Sequence, residues 1–340
     1  MDGARRAVVA CVESPGGKPM SIARRTALTA ALAIAAPAVR AQTRTWPNRP
    51  VRIIIPYAPG GPVEIPGRFI AEHLSARLGL PVIVETRPGA GGAVGTKQVI
   101  AATDQHTLAM VTGAVAIQPA VQPDIGYDPV TELLPVSLVS TASMGFMVRP
   151  NAAFRDLQGL IAAAKAAPGR LTYGSSGNGT TTHMAAALFG ARAGITWQHV
   201  PYRGGGQLIS GFLAGDVDVM SGDLATLLPH VQEGRGLLLG VTAPERVPVL
   251  PDVPSIAEVV PGTGITIWFA LFAPRNFPED AVARIVAELA PLRSGSALGE
   301  RMAATGGQLL LTGPAELAEQ LRREMPLWRQ VVAEAGIRPE

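Results

Sequence analysis

The chain has 340 residues, with 29 Lys and Arg against 26 Asp and Glu, a single cysteine, and 38 Gly and 30 Pro. Residues 1–41 hold six of the basic residues and two of the acidic ones, so the rest carries 23 against 24, a net charge of −1. The basic excess therefore gives no ground for binding nucleic acid or a membrane surface. Since the one cysteine is Cys11, the chain beyond residue 41 offers no disulfide, thiolate nucleophile or cysteine metal ligand.

In chain order, the first pattern is Met20-Ser-Ile-Ala-Arg24-Arg25, a short basic segment, followed by an Ala- and Leu-rich run over 26–38 and small residues up to Ala41. This order is that of an export signal cleaved after Ala41, and the apolar run is shorter than the roughly twenty residues that span a bilayer. The expected localisation is the periplasm. The Arg24-Arg25 pair leaves the secretory and twin-arginine routes both open, and residues 1–19, ahead of a second methionine, read as a misassigned start. About three hundred residues follow, enough for two domains with their own cores.

The strands expected next are 51–55, 81–85 and 107–111, with a helix over 66–78 that has Pro66 in its first turn and another over 96–102. Loops 56–61 and 87–95 separate them. This β-α-β-α-β order implies a parallel sheet whose ligands collect beyond the carboxyl ends of its strands. A second unit of the same kind has helices over 157–166, through Phe189 after the Ser/Gly loop, and over 207–214, and strands over 171–173, 197–200 and 217–220. Segments 144–148 and 267–272 read as strands crossing between the units, and helices over 279–292 and 316–335 close the chain. Two doubly wound α/β lobes joined by crossing strands describe a hinged clam with its cleft between the lobes. The expected lobes are 46–147 with 269–340, and 148–268.

Two stretches carry the chemistry. Tyr173-Gly-Ser-Ser-Gly-Asn-Gly-Thr-Thr-Thr-His183 runs from a strand into an apolar helix, and His199-Val-Pro-Tyr-Arg-Gly-Gly205 ends a strand in a glycine-rich turn. Backbone N–H groups of Gly177, Asn178, Gly179 and Thr180, at a helix start, make a seat for an anion, and glycine allows close approach. Ser175 and Asn178 could instead cap the helix. Tyr202 can offer a ring face and hydroxyl to a ligand or pack as a loop tyrosine. Arg203 is expected at the rim. Glu64 can contact a ligand or complement the dipole of the helix that follows it.

The whole stretch beyond the signal resembles the substrate-binding proteins of tripartite tricarboxylate transporters, the Bug-type periplasmic receptors. The likeness rests on the opening strand and loop from Trp46 to Gly61, the second strand and loop from Val82 to Gly92, Tyr127-Asp-Pro129, the His199 to Gly205 turn, Pro251-Asp-Val-Pro254 and Trp268-Phe269. It implies a two-lobed periplasmic binding protein of type II, a small organic acid as ligand, and delivery to integral membrane permease subunits. It implies no enzyme activity, cofactor, metal or nucleic acid, and a monomer. The ligand-binding residues this reading gives are Tyr57, Pro59, Gly60, Gly61, Glu64 and Thr112 on one side of the cleft. On the other side they are Ser175, Gly177, Asn178, Gly179, Thr180, Tyr202, Gly204, Gly205 and Asp223. The chain departs from the family pattern at Glu64, where aspartate is usual, at Gln105-His106, where Gly-Tyr is usual, and at Ser221-Gly-Asp223, where Phe-Asp-Asn is usual.

Two other readings stay open: a sensory ligand-binding protein of the same fold, and an exported hydrolase using Ser175 or Ser176. Gly174-Ser-Ser-Gly177 lacks the spacing of a nucleophile elbow. Gly89-Ala-Gly-Gly-Ala-Val-Gly95 misplaces the third glycine of a dinucleotide fingerprint. The histidines at 73, 106, 183, 199 and 230 show no metal-ligand spacing.

Overall fold

The computed structural model describes residues 46–337 and the isolated Gly16. The export signal read over residues 1–41 lies outside the described residues, Gly16 apart.

The first lobe opens with β1 (Val51–Ile55), α1 (Glu64–Leu78), β2 (Val82–Thr86), α2 (Ala93–Ile100), β3 (Thr107–Thr112), α3 (Ala114–Val121), α4 (Pro129–Glu132) and β4 (Leu133–Ala142). The second comprises β5 (Met144–Val148), α5 (Leu157–Ala166), β6 (Thr172–Ser175), α6 (Thr181–Ala193), β7 (Gln198–Pro201), α7 (Gly205–Ala214), β8 (Val219–Asp223), α8 (Leu224–Gln232), β9 (Leu237–Val241) and α9 (Ile256–Val259). The chain then returns through β10 (Ile267–Pro274), α10 (Glu279–Leu289), α11 (Ala297–Ala303), β11 (Gln308–Leu309) and α12 (Pro314–Glu334).

A six-stranded sheet has the order β11-β4-β10-β3-β1-β2 and a five-stranded sheet the order β7-β6-β8-β5-β9. β1 pairs in parallel with β2 and β3, and β6 with β7 and β8. Central strands bury both faces, which is why β1 and β3 read as near-continuous apolar runs; all six residues of β3 are buried. The two sheets give the mixed α/β, two-lobed fold expected from the pattern.

The crossings fall elsewhere than expected. Met144–Val148, expected to cross between lobes, pairs along its whole length with β8 and β9 inside the five-stranded sheet. The long strand β4 precedes it in the other sheet, so the chain passes between sheets at Ser143 and not near 148. The return is likewise complete before residue 267, because β10 lies wholly between β3 and β4. Ser143 and the 242–266 segment are tied together: Thr242 N–H donates to the Met144 carbonyl (2.9 Å) and Ile265 N–H to the Thr242 carbonyl (2.7 Å).

α6 holds the two lobes together. Its first ten residues, from Thr181 to Gly190, are all buried, as expected of a helix apolar all round. Ala186 and Phe189 pack in the second-lobe core with Phe146 and Val219. Met184, Ala187 and Leu188 pack instead with Val115, Trp268 and Val331 of the first lobe. At its far end, Arg192 pairs with Glu334 of α12 at 3.5 Å.

Candidate ligand-binding site

Thr180 caps α6 by accepting the His183 N–H on its side-chain oxygen (3.3 Å), and Gly194 ends the helix in the left-handed conformation. The loop ahead of the cap is knitted to itself. Gly177 N–H donates to Ser175 Oγ (3.2 Å), Gly179 N–H to His183 Nδ1 (3.2 Å), Thr180 N–H to the Gly177 carbonyl (3.3 Å) and Ser176 N–H to Thr182 Oγ1 (3.1 Å). This corrects the expectation that Gly177, Gly179 and Thr180 aim open N–H groups at a ligand. Their donors are consumed in holding the turn, and the open donors move one step on. Thr181 and Thr182 occupy the first turn of a thirteen-residue helix, where N–H groups have no intrahelical partner. The Thr181 hydroxyl is buried and has no hydrogen-bond partner.

The glycine turn after β7 is laced to this loop, with Tyr202 N–H donating to the Ser175 carbonyl (3.0 Å) and Gly204 N–H to the Ser176 carbonyl (3.1 Å). Gly204 and Gly205 thereby begin α7 beside the start of α6. The Tyr202 ring, however, is sandwiched in its own lobe: a Cβ on Gly211 would lie 2.5 Å from its hydroxyl and one on Gly174 3.2 Å from its ring. The residue is half-buried, with this face of its ring packed on its own lobe.

Asp223 ends β8 opposite Met144, beside the crossing at Ser143, whose carbonyl accepts the Leu224 N–H (2.9 Å). It is buried with Oδ1 unpartnered, and burial pushes its carboxyl up to about 6. Two residues earlier, Ser221 Oγ donates to the Thr182 carbonyl (2.7 Å), fixing the first turn of α6 to β8.

On the first-lobe side, the hydroxyl of Tyr57 accepts from Thr112 N–H (3.2 Å) and from Thr112 Oγ1 (2.9 Å), tying the loop after β1 to the end of β3. Pro59 and Gly60 are exposed at the tip of that loop and Gly61 is half-buried. The carboxylate of Glu64 accepts the Gly60 N–H (2.6 Å) and pairs with Arg68 one turn on. The Gly60 bond first, and then Arg68, hold it below the usual carboxylate range. Glu64 thus serves its own loop and helix start, the second of the roles open to it.

The lobes meet over this site through a residue the sequence reading missed. Gln118, buried in α3, directs its amide Nε2 at the carbonyls of Asn178 (3.4 Å) and Gly179 (3.5 Å) across the cleft. Glycines line its path from both sides: a Cβ on Gly91 or on Gly179 would collide with the amide, at 2.6 Å in the latter case. Close by, a Cβ on Gly113 would sit 3.4 Å from Thr181 Oγ1 and 3.1 Å from Trp268 Nε1. A signal for Gln118 was present, since it is the one polar side chain in the otherwise apolar stretch of α3.

Ser175 Oγ lies 2.7 Å from His199 Nε2, the spacing of a nucleophile and its base. Two features set it apart from a working pair. Ser175 is fully buried and also bonded to Gly177, and His199 is stacked face to face on His183 (3.8 Å between centroids) with no carboxylate among the described residues bonded to it. Burial first, then the neighbouring His183, lower the His199 imidazole to about 3, too weak a base to serve at neutral pH.

Residues 67–305 match the family model described as the tripartite tricarboxylate transporter family receptor. A Pseudomonas protein encoded in a tcbD-tcbE intergenic region is 33% identical over 92% of this chain and 95% of its own length. The periplasmic binding protein BugD superposes with a TM-score of 0.79 at 27% identity, over 87% of this chain and all of its own. An R. palustris protein solved with adipate gives a TM-score of 0.81 at 28% identity, over the same shares. With most of its length matched by the family model, this chain belongs to the tripartite tricarboxylate transporter receptor family.

Proposed function

We propose that the protein is a periplasmic receptor that closes its two lobes over one small organic carboxylate and hands it to the membrane permease subunits of a tripartite tricarboxylate-type transporter. The observation that carries this reading is the first turn of α6, where the buried, unpartnered Thr181 hydroxyl lies beside Gly113 of the other lobe and two helix-start N–H groups lack intrahelical partners. A helix start of this kind favours an anion through its dipole and its open donors. Each hydrogen bond to a charged group contributes roughly 1.5–3 kcal/mol. Three of them suffice for roughly micromolar binding after association costs. Tyr57 and Thr112 shape the facing wall, Gln118 closes over the loop at Asn178, and Asp223 lies at the floor beside the crossing. The adipate-bound relative supports a carboxylate as the ligand class. In this reading the lobes divide at Ser143 and in the 242–266 segment, the receptor is a monomer, and it uses no cofactor.

Native mass spectrometry of the mature protein, purified without refolding, tests this directly. The expected result is a bound organic acid that dilution and dialysis remove. A bare protein that no member of a carboxylate panel stabilises against heat would overturn the reading.

The Ser175–His199 bond favours a second reading, an exported serine hydrolase. A fluorophosphonate probe separates the two. Labelling of Ser175 in the folded protein would establish a reactive serine, and a receptor leaves the probe untouched.

A further inference from the structure

Along α6, from His183 in its first turn to Ala191, and beside Asn178, lies a cavity of about 350 Å³ that the proposed carboxylate seat at Thr181 does not fill. One wall comes from the second lobe: Tyr173, His183, Trp197 and His199. The other is the end of α3 and the end of α12, at Val121 and Ala335 to Ile337 of the first lobe. Its second-lobe wall is a set of flat rings. His183 and His199 are stacked at 3.8 Å and 9°, Tyr173 lies 4.9 Å from His199 at 24°, and Trp197 4.6 Å from Tyr173 at 39°.

Two ring residues of this wall present donors, beside the amide of Asn178 and the hydroxyl of Thr196. His183 Nδ1 accepts the Gly179 N–H, so in the neutral ring the proton sits on Nε2. The Tyr173 hydroxyl has no hydrogen-bond partner among the described residues, and burial raises its pKa, so it remains an O–H donor at neutral pH. Among the described residues that line it there is no lysine or arginine to attract an anion. Burial keeps His183 and His199 neutral, at about 4 and about 3, and the one acid present, Glu334, is paired with Arg192. Ring faces with a few fixed donors in a pocket of this size suit a flat, uncharged ligand with an acceptor oxygen or nitrogen.

We propose that this cavity is a second binding site, for a small neutral aromatic or heteroaromatic molecule carrying a hydrogen-bond acceptor, and that its occupant favours the closed arrangement of the lobes. The second half follows from the walls, which come from different lobes, and it rests on the receptor reading above. A ligand that touches both lobes binds the closed form better and shifts the population toward it. The first half stands without that reading.

The test uses the mature chain with nicotinamide as the flat probe and cyclohexanecarboxamide as its non-planar counterpart, titrated by ligand-observed NMR. Nicotinamide is expected to bind wild type, at least ~10-fold tighter than cyclohexanecarboxamide, with a loss of ~10-fold in Tyr173→Phe, which keeps the ring and removes the donor. Ala191→Leu, which fills the cavity from α6, is expected to abolish binding while circular dichroism stays native. Tightening of nicotinamide by a saturating organic acid would establish the coupling. No nicotinamide binding to wild type, equal binding of the two amides, or an unaffected Tyr173→Phe would overturn the site. Nicotinamide binding that an acid leaves unchanged would overturn the coupling alone. A protein that binds an organic acid but not nicotinamide refutes only this proposal, and one that binds nicotinamide but no acid refutes only the receptor reading.

Discussion

Asp223 joins the sequence, the site and pH most closely. In the proposed site, Asp223 with its unpartnered oxygen would repel an anion when ionised and could donate to it when protonated. Its carboxyl, ordinarily near 3.8, is pushed up to about 6, so the folded state holds a proton between those values that the unfolded chain has lost. The stability that this proton confers is present in full below about 3.8 and lost as pH rises through about 6. Asp223→Asn is therefore expected to raise the melting temperature at pH 7.5, by the equivalent of about 1–3 kcal/mol, and to change little at pH 3.5. Ligand affinity should fall in wild type between pH 5.5 and 7.5 and stay level in the variant, as titration calorimetry would read. His183 and His199 run the opposite way. Their folded values lie below the ordinary 6.5, so stability is lost as pH falls from about 6.5 toward about 4. In the Asp223→Asn background, where the opposing carboxyl is removed, thermal melts should show that acid loss alone; a melting temperature flat from pH 6.5 to 4 would contradict it.

At the scale of the element, α6 explains what could and could not be read from the chain. Its start after a run of Gly and Ser and its apolar length are legible, because helix caps and burial leave local signals. Which N–H groups remain open is not legible, since that depends on where the Ser175 and His183 side chains turn, and both reach back into the loop. The packing of Tyr202 was not legible for a related reason. Gly174 and Gly211 leave a slot for its ring, and they are distant from it in sequence. The crossing strand was misplaced because β4 and β5 are apolar runs separated only by Ser143, so the change of sheet has no sequence mark. Gln118 against Gly179 is the contact at which one element meets another across the cleft. Gly179 has a φ of +65° and leaves no room for a Cβ beside the Gln118 amide. Gly179→Ala is expected to weaken ligand binding at least ~10-fold, and Gln118→Ala in the same chain to restore part of the loss by removing the collision. Additive effects in that double-mutant cycle would contradict a direct clash.

For the whole molecule, the two-sheet architecture follows from patterns that recur along the chain, strand then helix then strand, with glycine turns at the strand ends that face the cleft. The lobes are then joined by a short passage at Ser143, a return before β10, and α6, which contributes residues to the cores on both sides. In the receptor reading, that arrangement makes closure a property of the whole chain, while the proposed anion seat is one turn of one helix. In the receptor reading proposed above, ligand choice is tuned at Ser221 and Asp223, where this chain differs from the family pattern at the end of β8.

The most direct measurement is calorimetric titration of the mature protein and its Thr181→Val variant with a panel of C4 to C6 mono-, di- and tricarboxylates. Valine keeps the shape of threonine and removes the unpartnered hydroxyl, so the variant should fold at least as stably as wild type. If the first turn of α6 holds the carboxylate, at least one acid binds wild type at roughly micromolar affinity and the variant binds it ~10- to 100-fold more weakly. An acid that binds both proteins equally would place the anion elsewhere and contradict the site.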